Sequence, residues 1–289
     1  MNSFDYHAPG SLAETFDLLA TYGEDAQLMA GGTALVLLLQ QGLVQPGHVV
    51  GLRDVAELQG GARRTDDGGL QIRALTTHRQ AERAADVQAF CPALADTFSR
   101  VATVRIRNQA TVGGNLAHAD PAQDPPPMLM ALGGSAVVAS AAGQRTIPLD
   151  EFFVDYFETA LQQGEVLVAV DLPPLAAGTR VTYKKFLPRT QDDYATVSVA
   201  AAMRVGEDAR CEEIRIALGA AATTPVRARR VEEALRGQRL TRDRITDAAA
   251  LVREEVDPLD DLRGSAGYKR EMARVWTQRA LQELLDGAA

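Results

Sequence analysis

An α+β fold in more than one unit is what this sequence predicts, and three observations carry it. Through the first 172 residues short apolar strands alternate with capped amphipathic helices. The stretch "LPPLAAGTR" at 172–180 then breaks the chain with prolines and a glycine. Beyond it three strand candidates come first and three helices follow, the order of an α+β unit. At 289 residues the chain also exceeds the size at which one core keeps growing, so two or three subdomains are expected.

Taken in order, "FDYHAP" alternates like a short strand and stops at Pro9. "SLAETFDLLATYG" opens with a capping box, Ser11 and Glu14, sets Leu12, Phe16 and Leu19 on one helical face, and closes at Gly23. "AQLMAGGTALVLLLQQG" runs from a strand through Gly31 and Gly32 into a helix capped by Thr33 and stopped by Gly42. "HVVGL" is the next strand. After Gly60 come the strand "LQIR", a second capping box at Thr77 and Gln80, and the helix "CPALADTFSRVAT" with Pro92 in its first turn.

"TVGGNLAHADPAQDPPP", residues 111–127, follows as turned backbone, and Asp124 with its three prolines resembles a helix start. "SAVVAS", "RTIPL" and "EVLVAVDLP" are strands, the last alternating strictly at Val166, Val168, Val170 and Leu172. Past the linker, "VTYKKF", "ATVSVAAAMRV" and "EIRIALGAA" form a three-stranded antiparallel sheet. Helices around "TPVRARRVEEALRG", "RDRITDAAALVREEV" and "YKREMARVWTQRALQELL" cover it. The expected units are 1–175, with subdomains of about 1–57 and 58–175, and 178–289.

Composition narrows the function. The formal net charge of −8 disfavours a nucleic-acid partner, and the arginines of "PVRARRVEEALRG" are interleaved with glutamates as on a solvated helix. Cys91 and Cys211 stand alone without a CxxC, and His7, His48, His78 and His118 lack metal-ligand spacing, so no metal centre or iron–sulfur cluster is expected on this chain. "ALVLLL" is too short to span a bilayer and "MNSFDYHAPG" has no signal pattern, which makes a cytoplasmic protein the expectation.

Two glycine pairs remain. Consecutive N–H groups in such a turn form a nest for anions, and a helix N-terminus adds its dipole. Neither pair matches G-x-G-x-x-G or the P-loop, so each alone is as well explained by a tight turn. Together they could hold one pyrophosphate from two sides.

"AGGTAL" at 30–35, the long motif T-x-G-G-N-x-x-x-x-x-P-x-x-D at 111–124, "GEVLVAVDLP" at 164–173 and "YKKFLPRTQDDYATVSVA" at 183–200 stand in one order. In that order and spacing they resemble the FAD-binding medium subunits of molybdenum hydroxylases, the carbon monoxide dehydrogenase and xanthine dehydrogenase type. The resemblance covers nearly the whole chain. It implies an FAD domain of the vanillyl-alcohol-oxidase type in two subdomains, followed by a smaller C-terminal domain. By position it implies that Leu28, Met29, Ala30, Gly31, Gly32, Thr33, Ala34 and Leu35, with Thr111, Gly113, Gly114 and Asn115, line the pyrophosphate and adenosine portion. Val101 and Ala102 would flank it, Asp124 would bond cofactor hydroxyls, Leu167 would touch the cofactor, Lys185 would reach the flavin head and Tyr194 would lie near the isoalloxazine. Ala34 stands where the family commonly has an acidic or polar residue, which leaves only backbone at that point.

Local sequence leaves a second reading open at several of these. Asp124 is also a helix cap, Lys185 a solvated strand residue, Asn115 a left-handed turn residue and Tyr194 a half-buried strand aromatic. The implied function is an electron-transfer subunit with noncovalent FAD and no catalytic acid–base pair. Electrons would come from 2Fe-2S clusters on a small subunit and pass to an external acceptor. Molybdopterin would sit on a large subunit, in a dimer of heterotrimers. A self-sufficient flavin oxidase or reductase and a cofactor-free binding module are the alternatives. Flavin colour on purification excludes the module, and co-purifying subunits exclude the oxidase.

Overall fold

Three larger sheets and a two-stranded ribbon, Phe153–Asp155 with Glu158–Thr159, organise the chain in this computed structural model, which describes residues 3–187, 190 and 192–287. The first is parallel, with His48–Gly51 central between Asp5–His7 and Ala26–Met29. Parallel neighbours need crossovers, and the helices Leu12–Tyr22 and Leu35–Gln41 supply them. Ser11 caps the first helix by accepting from the Glu14 N–H, but the Glu14 carboxylate returns to the N–H of Gly10 (2.7 Å), so the expected box closes one residue early. Gly23 (φ 56°) and Gly42 (φ 71°) end the two helices, as their positions in sequence require.

The second sheet is antiparallel, in the order Ala62–Arg64, Leu70–Arg73, Val166–Leu172, Ser135–Ser140, Gly143–Pro148. Its middle strand departs from strict alternation. The register shifts between Leu167 and Ala169, so Val166 and Val168 face a small cluster with Leu19, Val55 and Leu58. Leu167, Val170 and Leu172 instead enter the main core with Phe98, Leu116 and Leu129. A bulge turns side chains to the other face, and here one strand closes two cores.

The third sheet has four strands where the sequence predicts three. Arg180–Phe186, Val197–Val205 and Cys211–Gly219 are joined by the two-residue Val226–Arg227, too short to show a period. The helices Arg229–Leu235, Arg242–Ala250 and Ala266–Asp286 cover it and enclose a separate core around Val199, Ile216 and Leu281. Between the second and third sheets lies the helix Pro125–Ala131. All of its residues are buried, and it contacts both Val197–Val205 and Cys211–Gly219. Among the described residues no helix is long and apolar enough to cross a membrane.

Candidate cofactor site

The first glycine pair follows the strand Ala26–Met29. Gly32 sits at φ 72°, and the helix starts at Leu35 with Ala34, not the expected Thr33, in the cap position and no side-chain cap bond. Among the described residues the backbone N–H groups of Gly31, Gly32, Thr33 and Ala34 donate to no acceptor. Four consecutive free amides beside a helix N-terminus are a receptor for an anion. Gly31 lies close against the backbone of Gln109 and Ala110: a Cβ there would stand 2.0 Å from the Gln109 carbonyl oxygen.

The second pair differs from its expected form. Gly113 and Gly114 are the first turn of the helix Val112–His118, with Thr111 as a true cap. The amides are all taken: Val112 donates to Thr76 O and Gly113 to Ala74 O, both at 2.9 Å. Gly114 donates to Thr111 Oγ1 at 3.0 Å and Asn115 to Thr111 O at 2.9 Å. The glycines serve close approach here. A Cβ on Gly113 would lie 2.6 Å from the Ala74 Cβ, and one on Gly114 would lie 2.9 Å from Thr111 Oγ1 and 3.3 Å from the Ala30 Cβ. The two motifs therefore touch through Ala30 and Gly114. In place of amides the second offers Asn115, whose Oδ1 is buried without a partner and so fits a ligand donor.

Asp124 begins the helix Pro125–Ala131 but does not cap it. Its carboxylate is buried and accepts from the Tyr183 hydroxyl (2.6 Å) and from Lys185 Nζ (2.9 Å), while Lys185 also donates to the Arg100 carbonyl (2.9 Å). Residues 183 and 185 share one face of the strand Arg180–Phe186, and Lys184 points the other way to Glu283. Burial pushes the Asp124 carboxyl up, against the pull of Lys185. Burial and the Asp124 charge together push the Tyr183 phenol up, so that it remains a donor. Lys185 is thus no solvated residue, and its charge is already matched by Asp124.

Val101 is buried, and Ala102 holds a left-handed backbone (φ 39°). Leu167 is packed within the main core. Leu28, Met29 and Leu35 are half-buried around the first loop, and the Met29 sulfur lies 3.3 Å from where a Gly32 Cβ would be. Tyr194 lies on a loop, not a strand, exposed, with the Arg263 guanidinium 5.4 Å from its ring centre; burial of its hydroxyl pushes its pKa up to about 12. Pro188, Arg189 and Gln191 of the last motif lie outside the described residues. Sequence reasoning missed Tyr183, although its i, i+2 relation to Lys185 on a strand was a usable signal.

Two family models match the chain: the FAD binding domain in molybdopterin dehydrogenase over residues 2–175, and the CO dehydrogenase flavoprotein C-terminal domain over residues 182–284. This protein belongs to the FAD-binding family of molybdopterin dehydrogenases. The carbon monoxide dehydrogenase medium chain of Hydrogenophaga pseudoflava is 35% identical over 96% of both chains. The xanthine dehydrogenase FAD-binding subunit of Escherichia coli O157:H7 is 28% identical, covering 98% of this chain and 96% of its own. The solved carbon monoxide dehydrogenase of Hydrogenophaga pseudoflava superposes with a TM-score of 0.93 at 36% identity, covering 97% of this chain and 96% of that one. The α+β fold class and the FAD cofactor read from the motifs stand, and the chain is a flavoprotein subunit of the oxidoreductase kind. The free amides, the orphaned Asn115 oxygen and the touching glycine motifs fit such a cofactor.

Proposed function

We propose that this chain is the electron-transfer flavoprotein of a molybdopterin-dependent hydroxylase or dehydrogenase, with one noncovalent FAD. The observation that carries it is the run of free amides from Gly31 to Ala34, beside the Thr111–Asn115 motif that Ala30 touches at Gly114. In this reading the four amides hold the pyrophosphate, and Asn115 bonds the adenosine side. Asp124, fixed by Tyr183 and Lys185, presents its remaining lone pairs to cofactor hydroxyls. Val101, Ala102 and Leu167 flank the cofactor, and Tyr194 covers its outer edge. FAD, when bound, supplies the conversion between single electrons and pairs; the protein supplies position and electrostatics.

Electrons would arrive from 2Fe-2S clusters on a small subunit, with molybdopterin on a large subunit. The assembly would be a dimer of heterotrimers in the cytoplasm, the chain dividing at 1–175 and 178–289. Both cysteines are buried free thiols in separate cores, which suits a reducing compartment and leaves no thiol for a flavin bond. Acid precipitation of the purified yellow protein should release one FAD per chain into the supernatant. Flavin retained in the pellet, or FMN in place of FAD, overturns the reading. Substrate turnover by this chain without molybdenum and iron would return the oxidase alternative.

A further inference from the structure

We propose that Arg107 is a positioning residue for FAD, acting through the backbone of residues 100–102. The proposal rests on the FAD reading above. Arg107 Nη1 donates to the carbonyls of Val101 (3.0 Å) and Ala102 (2.8 Å), while Lys185 holds the carbonyl of Arg100 (2.9 Å). Three consecutive carbonyls are thus turned to two largely buried cations, with side-chain exposures of 13% for Arg107 and 2% for Lys185. Arg107 is itself aimed by Glu82, which accepts from its Nε at 3.2 Å and is also paired to Arg79.

The held segment includes Ala102 at φ 39°, a conformation that L residues with side chains rarely adopt. Such strain persists only where the surroundings over-determine it, and the Arg107 fork is the part that does so. Arg107 ends the short helix Val104–Arg107, and two residues later the Gln109 carbonyl forms the wall against Gly31. One side chain therefore ties the segment beside Asp124 to the turn whose Gln109 carbonyl backs Gly31. A guanidinium suits this because its planar fork can serve two adjacent carbonyls and a carboxylate at once, which a single ammonium cannot do in that geometry.

A clamp with a structural role only would end the helix Pro92–Ser99 and leave cofactor affinity untouched. Glu82→Gln separates the two roles, because it weakens the ion pair that aims Arg107 and leaves every residue placed against the cofactor unchanged. The full chain is deflavinated and titrated with FAD by flavin fluorescence, and the thermal midpoint of each apoprotein is measured alongside. Expected for Glu82→Gln is an apoprotein midpoint within a few degrees of wild type and an FAD dissociation constant raised several-fold. For Arg107→Lys the constant should rise by about tenfold or more, the order expected when a charge-assisted bond is lost. Dissociation constants within twofold of wild type overturn the proposal, and if Arg107→Lys does not fold, Glu82→Gln decides alone. A wild-type chain that takes up no FAD removes the functional reading itself, and this proposal with it.

Discussion

At Gly31–Gly32 the backbone leaves a strand with four amides that donate to nothing in the described chain. At Gly113–Gly114 the same dipeptide begins a helix whose first four amides are all occupied by the protein. The two pairs lie side by side, since Ala30 packs on Gly114. A glycine pair can thus serve two physical needs: shedding side chains so that a ligand reaches amides, or shedding them so that another backbone comes near. Only the first makes a nest. The second makes a floor for it, against Ala74 and Ala30.

The largest test of that division concerns what anchors the second region to the C-terminal unit. Lys185→Met leaves the buried Asp124 carboxylate without its cation, and breaking a buried pair from one side costs about 3–5 kcal/mol. Urea unfolding of the apoprotein should show a loss of that size. A loss below about 1 kcal/mol would mean the second region does not depend on the pair.

Next is pH, which should act on the second region through His78. His78 stacks on Phe98 (5.7 Å), its backbone N–H donates to the Ala110 carbonyl, and its side chain is fully buried with both ring nitrogens unpartnered. Burial first, then the nearby Arg107 charge, lowers its pKa from 6.5 to about 4. A histidine depressed in the folded state is protonated first in the unfolded chain. Its stabilisation is therefore complete above pH 6.5 and is lost as pH falls towards about 4, by roughly 3 kcal/mol in all. Denaturant midpoints between pH 8 and pH 4 should fall in that window for wild type and flatten in His78→Leu. Equal slopes would remove His78 as the cause.

Gly31→Ala and Gly113→Ala cross the comparison directly. The first drives a Cβ into a backbone carbonyl and pushes the nest off its wall, so FAD affinity should fall by roughly a hundredfold with a smaller change in apoprotein stability. Gly113→Ala overfills a packed helix–strand contact, so the apoprotein should lose about 1–3 kcal/mol while FAD affinity of the folded fraction holds. Reversed results would exchange the two roles. Smallest is Gly32→Ala, which meets only the flexible Met29 side chain but must hold φ 72°, a cost of about 1 kcal/mol read from the thermal midpoint.

Most of the element order was legible because caps and breakers are local. Thr77–Gln80 forms its box, Pro92 starts its helix, and Gly23 and Gly42 end theirs. What stayed hidden depends on tertiary partners. "TVGG" resembles a turn because glycine disfavours helices, yet the Thr111 cap and the close fit on Ala74 hold it helical. Asp124 before prolines has the form of a cap, but its acceptors turn to Tyr183 and Lys185, some sixty residues away in sequence. Arg107 in "RIRNQ" looks like one of several solvated basic residues; only the folded chain sets the 101 and 102 carbonyls before it.

The bulged strand Val166–Leu172 has a consequence for how the molecule can be divided. Its Val166 and Val168 complete the small cluster beneath the first sheet, so residues 1–57 lack a floor until a segment more than a hundred positions later is in place. A fragment cut near Gly60 should be unable to fold alone, and complementation by the remaining chain in trans should be needed to restore it. During synthesis residues 1–57 would wait, open and apolar, until that strand leaves the ribosome. Amide exchange in the native chain should then show His48–Gly51 and Val166–Leu172 opening together, as one cooperative block rather than as two lobes.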